Sequence, residues 1–204
     1  MRIDGWRITW GIALGMLLFS AGAIVTAGVN EESIRMLVRA TARVSVTLFL
    51  LTFIATSLQR FVPGDTSAWL LRNRRYIGVS FAAVHAEHLA LLGVLGVWYP
   101  HPFVDRLNAG TLAGGGLAYL FIAAMAATSS DAAVRAMGHR KWKLLHTVGA
   151  YYIWILFAQS YIPRAIKSAF YWPFAIALVG ALALRITYVA VHKSKRVTEQ
   201  TVNP

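Results

Sequence analysis

Three histidines and a glutamate sit inside stretches of this chain that are otherwise apolar. Residues 76–99 read YIGVSFAAVHAEHLALLGVLGVWY, with His85, Glu87 and His88 near the centre. Side chains three apart on a helix share a face, so His85 and His88 project together, about 4.5 Å apart along the axis, while Glu87 points elsewhere. Counted from Tyr76, the two imidazoles lie about 14 and 18 Å deep. Ionisable groups at mid-membrane are costly unless they face a cavity or bind something, so function is the first reading and interhelical hydrogen bonding the second. Residues 140–161, RKWKLLHTVGAYYIWILFAQSY, place His146 about one turn past a basic cluster and Gln159 about 20 Å further on. Gly149, one turn beyond His146, is expected to leave space beside the imidazole. His146 taken alone also suits an interfacial residue reaching headgroups. Neutral imidazole is a good iron ligand, and two facing each other across a porphyrin make a six-coordinate haem suited to electron transfer.

The elements that must position these groups are membrane helices. Of 204 residues, 57% are hydrophobic and 14% charged, and the mean hydropathy is +0.56, a balance foreign to a compact water-soluble domain. Crossing the hydrocarbon takes about 20 apolar residues. Such stretches recur near 8–28, 44–62, 76–98, 108–128, 144–162 and 169–191. The expected fold is therefore all-α, a polytopic bundle of six transmembrane helices forming one domain over 1–204. The first apolar run is too long for a typical signal-peptide core and reads as a retained anchor. No cysteine is present, which excludes disulfides, iron–sulfur clusters and thiolate metal sites.

The net charge of +12 is a matter of topology. Thirteen basic residues fall at the two ends and in alternate loops: Arg2, Arg7, Arg60, Arg72, Arg74, Arg75, Arg135, Arg140, Lys141, Lys143, Lys193, Lys195 and Arg196. Six lie in the opposite loops, namely Arg35, Arg39, Arg43, Arg106, Arg164 and Lys167, and Arg185 lies within the last span. The positive-inside rule then predicts both termini on the cytoplasmic side. The excess suits contact with anionic lipid, and no nucleic-acid partner is expected.

Short connectors, GVNEES, VPGDTS, WYPHPF, SSDAAVRAMGHRK and YIPRAIKS, require neighbouring helices to pack antiparallel. The third and fifth spans then run parallel, and if adjacent they could bring their imidazoles to one object. Gly114, Gly115 and Gly116 suggest close helix contact, or a flat cofactor against that helix. They do not form a dinucleotide-binding fingerprint, since GTLAGGG lacks the spacing and no strand precedes it.

RRYIGVSFAAVHAEHLALL followed by HRKWKLLHTVGAYY resembles the ferric reductase-like transmembrane domain family, most strongly over about residues 72–162. This family includes ferric reductases, NADPH oxidase membrane domains and the haem-binding membrane subunit of a periplasmic methionine sulfoxide reductase system. Arg74, Arg75, Gly78 and His88 match its third-span pattern, and Trp142, Lys143 and His146 its Trp-Lys-x-x-His. The resemblance implies six spans, b-type haem held between the third and fifth, and electron transfer across or into the membrane. One departure stands out. A second histidine usual in the family, thirteen residues after the first in the fifth span, is Gln159 here. In two-haem members the His88 position pairs with that histidine, and the partner of His146 falls at Arg74. At most one haem b is therefore expected, with His85, His88 and His146 as candidate axial ligands. The first expected pair is His85 with His146 and the second is His88 with His146, the spare imidazole serving a propionate, a proton path or a quinone. A five-coordinate haem near Gln159 is a further option.

Two functions compete. One is an oxidoreductase or electron-transfer subunit that takes electrons from quinol or a separate reductase, with any flavin supplied by that partner, and hands them to a periplasmic or membrane acceptor. The other is a haem-free proton or metal-ion transporter, or a membrane assembly factor, built on His85, Glu87 and His88. Glu87 is read as a protonated carboxyl, a partner of Arg185 or a proton relay. His101, His139 and His192 are expected to face solvent without a role.

Overall fold

A computed structural model describes residues 3–202, and their side chains except those of 102, 103, 106 and 192–202. Arg2 of the charge count therefore lies outside the described residues, as do the side chains of Arg106, His192, Lys193, Lys195 and Arg196.

Every regular element among the described residues is helical: α1 Trp6–Ala27, α2 Glu31–Phe61, α3 Asp65–Trp98, α4 Pro100–Phe103, α5 Ala109–Ala127, α6 Asp131–Met137, α7 His139–Lys167 and α8 Trp172–Val202, with single 3-10 turns at Val104–Arg106 and Ala169–Tyr171. The long helices overrun the apolar stretches that announced them. α2 begins at Glu31 rather than near 44, because Asn30 caps it by accepting the Ser33 N–H at 2.9 Å and the two glutamates of its first turn suit the helix dipole. α3 likewise starts at Asp65, eleven residues before the apolar run. Hydropathy measures the width of the hydrocarbon, and the helix goes on where its polar residues reach water. The connector after α5 holds the short α6, capped by Ser130 and ended by Gly138 at φ 81°, a left-handed conformation that favours glycine.

Among the described residues, five helices are long and apolar enough to cross a membrane: α1, α2, α3, α5 and the segment Ala169–Val191. α7 has the length, 29 residues, but His146, Tyr151, Tyr152, Trp154 and Gln159 dilute its apolar character, so the expected count of six does not follow from length and hydropathy alone.

α2 packs most extensively on α3, and α1 lies along the other side of α3. The tight turn between α2 and α3 sets their antiparallel register. Thr56 meets Arg74, Thr52 lies against Gly78, Phe49 stacks on Phe81, and Thr41 meets His88. A polar seam joins α1 to α3. The Gly5 N–H donates to Asn73 Oδ1 at 2.9 Å, the Thr9 hydroxyl to the Tyr76 carbonyl at 3.0 Å, and the Ser20 hydroxyl to Glu87 Oε1 at 2.5 Å. α7 packs between α5 and α8. Its backbone scarcely approaches that of α3, and the two meet through aromatic rings, Phe81 against Phe157 at 6.2 Å. That separation leaves a cleft.

Candidate functional site

The α3 imidazoles occupy one level of the bundle. The His85 and His88 rings stack with centroids 5.2 Å apart, as their spacing requires. Around His85 stand Phe81 at 5.4 Å, Tyr119 of α5 at 5.0 Å and Phe157 of α7 at 6.0 Å. His88 Nδ1 lies 2.9 Å from the Thr41 hydroxyl. His85 Nδ1, Tyr119 Oη and Ser45 Oγ are buried with no hydrogen-bond partner among the described residues. Ser45 falls between Thr41 and Phe49 on the face of α2 that follows α3, so its hydroxyl lies near the level of His85.

Glu87 belongs to neither imidazole. Its carboxylate turns to Ser20 on α1. It does not meet Arg185, which donates to the Phe53 carbonyl at 2.8 Å and stacks over the rings of Phe53 and Tyr151 at 4.5 and 5.3 Å. A bound ion would need His85, Glu87 and His88 to converge, and among the described residues no three His, Asp or Glu side chains do so.

His146 lines the cleft between α3 and α7. The cavity encloses about 230 Å³ and draws its walls from five helices, including Phe49 and Phe53 of α2, Arg74 and Phe81 of α3, and Met125 of α5. Arg185 of α8 closes one side, while Gly78 keeps the α3 wall low. The imidazole is clamped. Trp142, one turn earlier on α7, lies against it at 4.4 Å and donates its indole N–H to the Thr128 carbonyl at 3.0 Å. The Thr128 hydroxyl sits 3.1 Å from His146 Nε2.

The two levels are well separated. His85 touches Phe157, which lies eleven residues beyond His146, or about 16 Å along α7. Arg74, whose charge is felt by His146, lies eleven residues before His85, so α3 gives the same offset. The structure thus brings His85 and His88 together and leaves His146 about three turns away. Gln159 is exposed and lies two residues beyond Phe157, about 3 Å along α7, so it is near the level of His85 and far from that of His146. Gly149 opens no space beside His146; a Cβ there would meet Met125 Sδ at 2.9 Å, because α5 packs tightly at this point. Of the glycine triplet, Gly114 accepts the Tyr152 hydroxyl on its carbonyl at 3.0 Å, and Cβ atoms at Gly115 and Gly116 would find open space. His139 is exposed, and exposed His101 pairs with Asp105 at 2.8 Å.

Sequence reasoning missed Thr41, Thr128 and Tyr119, and the place of Arg185 in the cleft. Thr41 was within reach, since the short turn between the second and third spans implies the register that sets it opposite His88. Thr128 and Arg185 depend on how α5 and α8 are rotated, for which the sequence carries no comparable signal.

No family model matches the chain, and no solved structure matches it. Curated relatives do. The protein-methionine-sulfoxide reductase heme-binding subunit MsrQ of Yersinia pseudotuberculosis is 28% identical over 197 residues, spanning 92% of this chain and 94% of that protein. The subunit of the same name from Yersinia pestis is 28% identical over 197 residues, spanning 92% of this chain and 93% of that one. Both likenesses run over nearly the full length of this chain and of the relative, so the chain is similar to that subunit as a whole and not in one segment alone.

Proposed function

We propose that the chain is a membrane-embedded haem b protein that passes electrons to a reductase partner of the methionine-sulfoxide reductase class, the class for which its relatives are named. The observation that carries this reading is the cleft at His146, where a single clamped imidazole faces a ring-lined space between α3 and α7. A porphyrin asks for flat apolar walls, a nitrogen ligand and cations near its carboxylates. Phe49, Phe53 and Phe81 supply the walls, His146 the nitrogen, Arg74 and Arg185 the charge, and no carboxylate lines the cleft. The donor set fits the group.

Haem iron in such a site supplies one-electron chemistry. The residues of the chain do the rest. His146 would present the ligating imidazole, Trp142 and Thr128 hold its ring through the contacts given above, and five helices wall the cleft. The electron donor in this reading is quinol or a separate reductase that brings its own flavin, and the acceptor lies on the periplasmic side or in the membrane. α7 counts as the sixth span, with both termini in the cytoplasm of the inner membrane, supported by thirteen basic residues against six. A reporter fused after Pro204 that is active only outside the cytoplasm would reverse that orientation.

The purified full-length chain is expected to show a Soret band that shifts on reduction, and up to one haem b by pyridine haemochrome assay. His146→Ala should lose it. His85→Ala and His88→Ala should retain it, since they lie at the other level. A colourless protein from haem-replete cells overturns the reading. Haem that survives His146→Ala but is lost in His88→Ala moves the site to the imidazole pair.

A further inference from the structure

Arg185 is an arginine within an apolar helix, and the haem reading above asks of it only that a cation stand near the cleft. Its guanidinium lies on the cleft, anchored by the Phe53 carbonyl and by the Phe53 and Tyr151 rings. Neither partner carries charge. Across the cleft Arg74 has the Thr56 hydroxyl at 3.3 Å as its hydrogen-bond partner among the described residues, and the two guanidiniums act on each other as like charges. The third arginine of the lining is already matched, because Arg75 donates to Asp131. Two cations are thus left facing one space that no carboxylate lines. In a low-dielectric setting such a pair repels and is expensive to hold without an anion between its members.

We infer that Arg185 and Arg74 form a two-cation clamp for a flat ligand carrying two carboxylates, each guanidinium taking one propionate of the porphyrin. The inference rests on the haem reading above and adds the recognition of the acid groups. Guanidinium–carboxylate contacts are short, charge-assisted and often bidentate, and they fix orientation as well as affinity. Arg185 is suited to that task because its stacking on Phe53 and Tyr151 sets the direction of its fork in advance. The clamp makes porphyrin acidity a determinant of binding, which a purely apolar pocket would ignore.

The test titrates the haem-free full chain, in detergent or nanodiscs, with haem and with haem dimethyl ester, whose carboxylates are capped. The wild type should prefer the free acid by tenfold or more. Arg185→Gln keeps a donor for the Phe53 carbonyl and removes the charge, and it should cut that preference about tenfold, chiefly by weakening haem while leaving the ester nearly unchanged. Arg74→Gln should act similarly and serves as an independent variant if Arg185→Gln does not insert. A merely structural role for Arg185 would weaken both porphyrins equally, and that result overturns the inference. Equal wild-type affinity for the acid and the ester overturns it too and leaves the haem reading standing. A wild-type chain that takes up neither porphyrin removes the haem reading and the clamp together.

Discussion

The Thr41 hydroxyl stands 2.9 Å from His88 Nδ1 while it also lies 2.9 Å from the Leu37 carbonyl and 3.1 Å from that of Val38. A hydroxyl has one proton to give, and the α2 backbone receives it. Nδ1 of His88 must then be the donor, which leaves Nε2 as the bare nitrogen. Thr41→Val should leave that N–H with the Val38 carbonyl as its acceptor and lower stability by about 0.5–1.5 kcal/mol for the lost bond, read as a drop in the thermal midpoint of the detergent-solubilised protein. An unchanged midpoint would mean that the Val38 carbonyl takes the proton fully.

At Gly149, α7 packs tightly against α5. A side chain there meets Met125 Sδ at 2.9 Å and Phe121 at 3.2 Å. Overpacking of this kind costs about 1–3 kcal/mol. Gly149→Val should therefore destabilise the bundle, and Met125→Ala in the same chain should recover part of the loss, since the two sites share one volume. Additive melting shifts would show that the clash is relieved elsewhere.

The architecture was legible where one physical signal controls it. Apolar width announced the helices, the three-residue spacing fixed the His85–His88 stack, and the turn residues bounded most elements. Other features depend on rotation about helix axes. Gly149 read as space for an imidazole because the sequence cannot say that α5 sends Met125 and Phe121 to that point. The expected meeting of His146 with an α3 histidine is not made in this structure, and the reason is related. α7 begins at His139, close to the membrane surface, whereas α3 has already run nine residues by Arg74, so counting depth from apolar boundaries brought His146 too near His85. The Trp-Lys-x-x-His spacing, in contrast, carried local geometry directly, because Trp142 and His146 are one turn apart and their rings must meet.

The short α6 is tied to α3 by Arg75 and Asp131. The hydrogen bond from the guanidinium, and then its charge, hold the Asp131 carboxyl below its ordinary value. A depressed carboxylate contributes anchoring that is fully present above its unfolded pKa, about 4, and is lost as pH falls through the folded one. Amide exchange in α6 should therefore be slower relative to its intrinsic rate at pH 6 than at pH 3. Asp131→Asn should flatten that difference. Because the pair is exposed, it should also fade in high salt, and protection in α6 that ignores both pH and salt would assign the tether to backbone packing.

Tyr119 and His85 lie with ring centroids 5.0 Å apart, yet Tyr119 Oη and His85 Nδ1 are both buried without a hydrogen-bond partner among the described residues. The contact between them is made by ring faces and not by polar atoms. A buried hydroxyl without a partner bears its desolvation cost with nothing in return, so removing it alone should relieve the site. Tyr119→Phe keeps the ring and its packing on His85, and it should leave stability unchanged or raise it by about 1 kcal/mol. Tyr119→Leu is the control, since it removes the aromatic surface and should destabilise through lost packing. A clear fall in the melting temperature of Tyr119→Phe would show that the hydroxyl is bonded in the membrane.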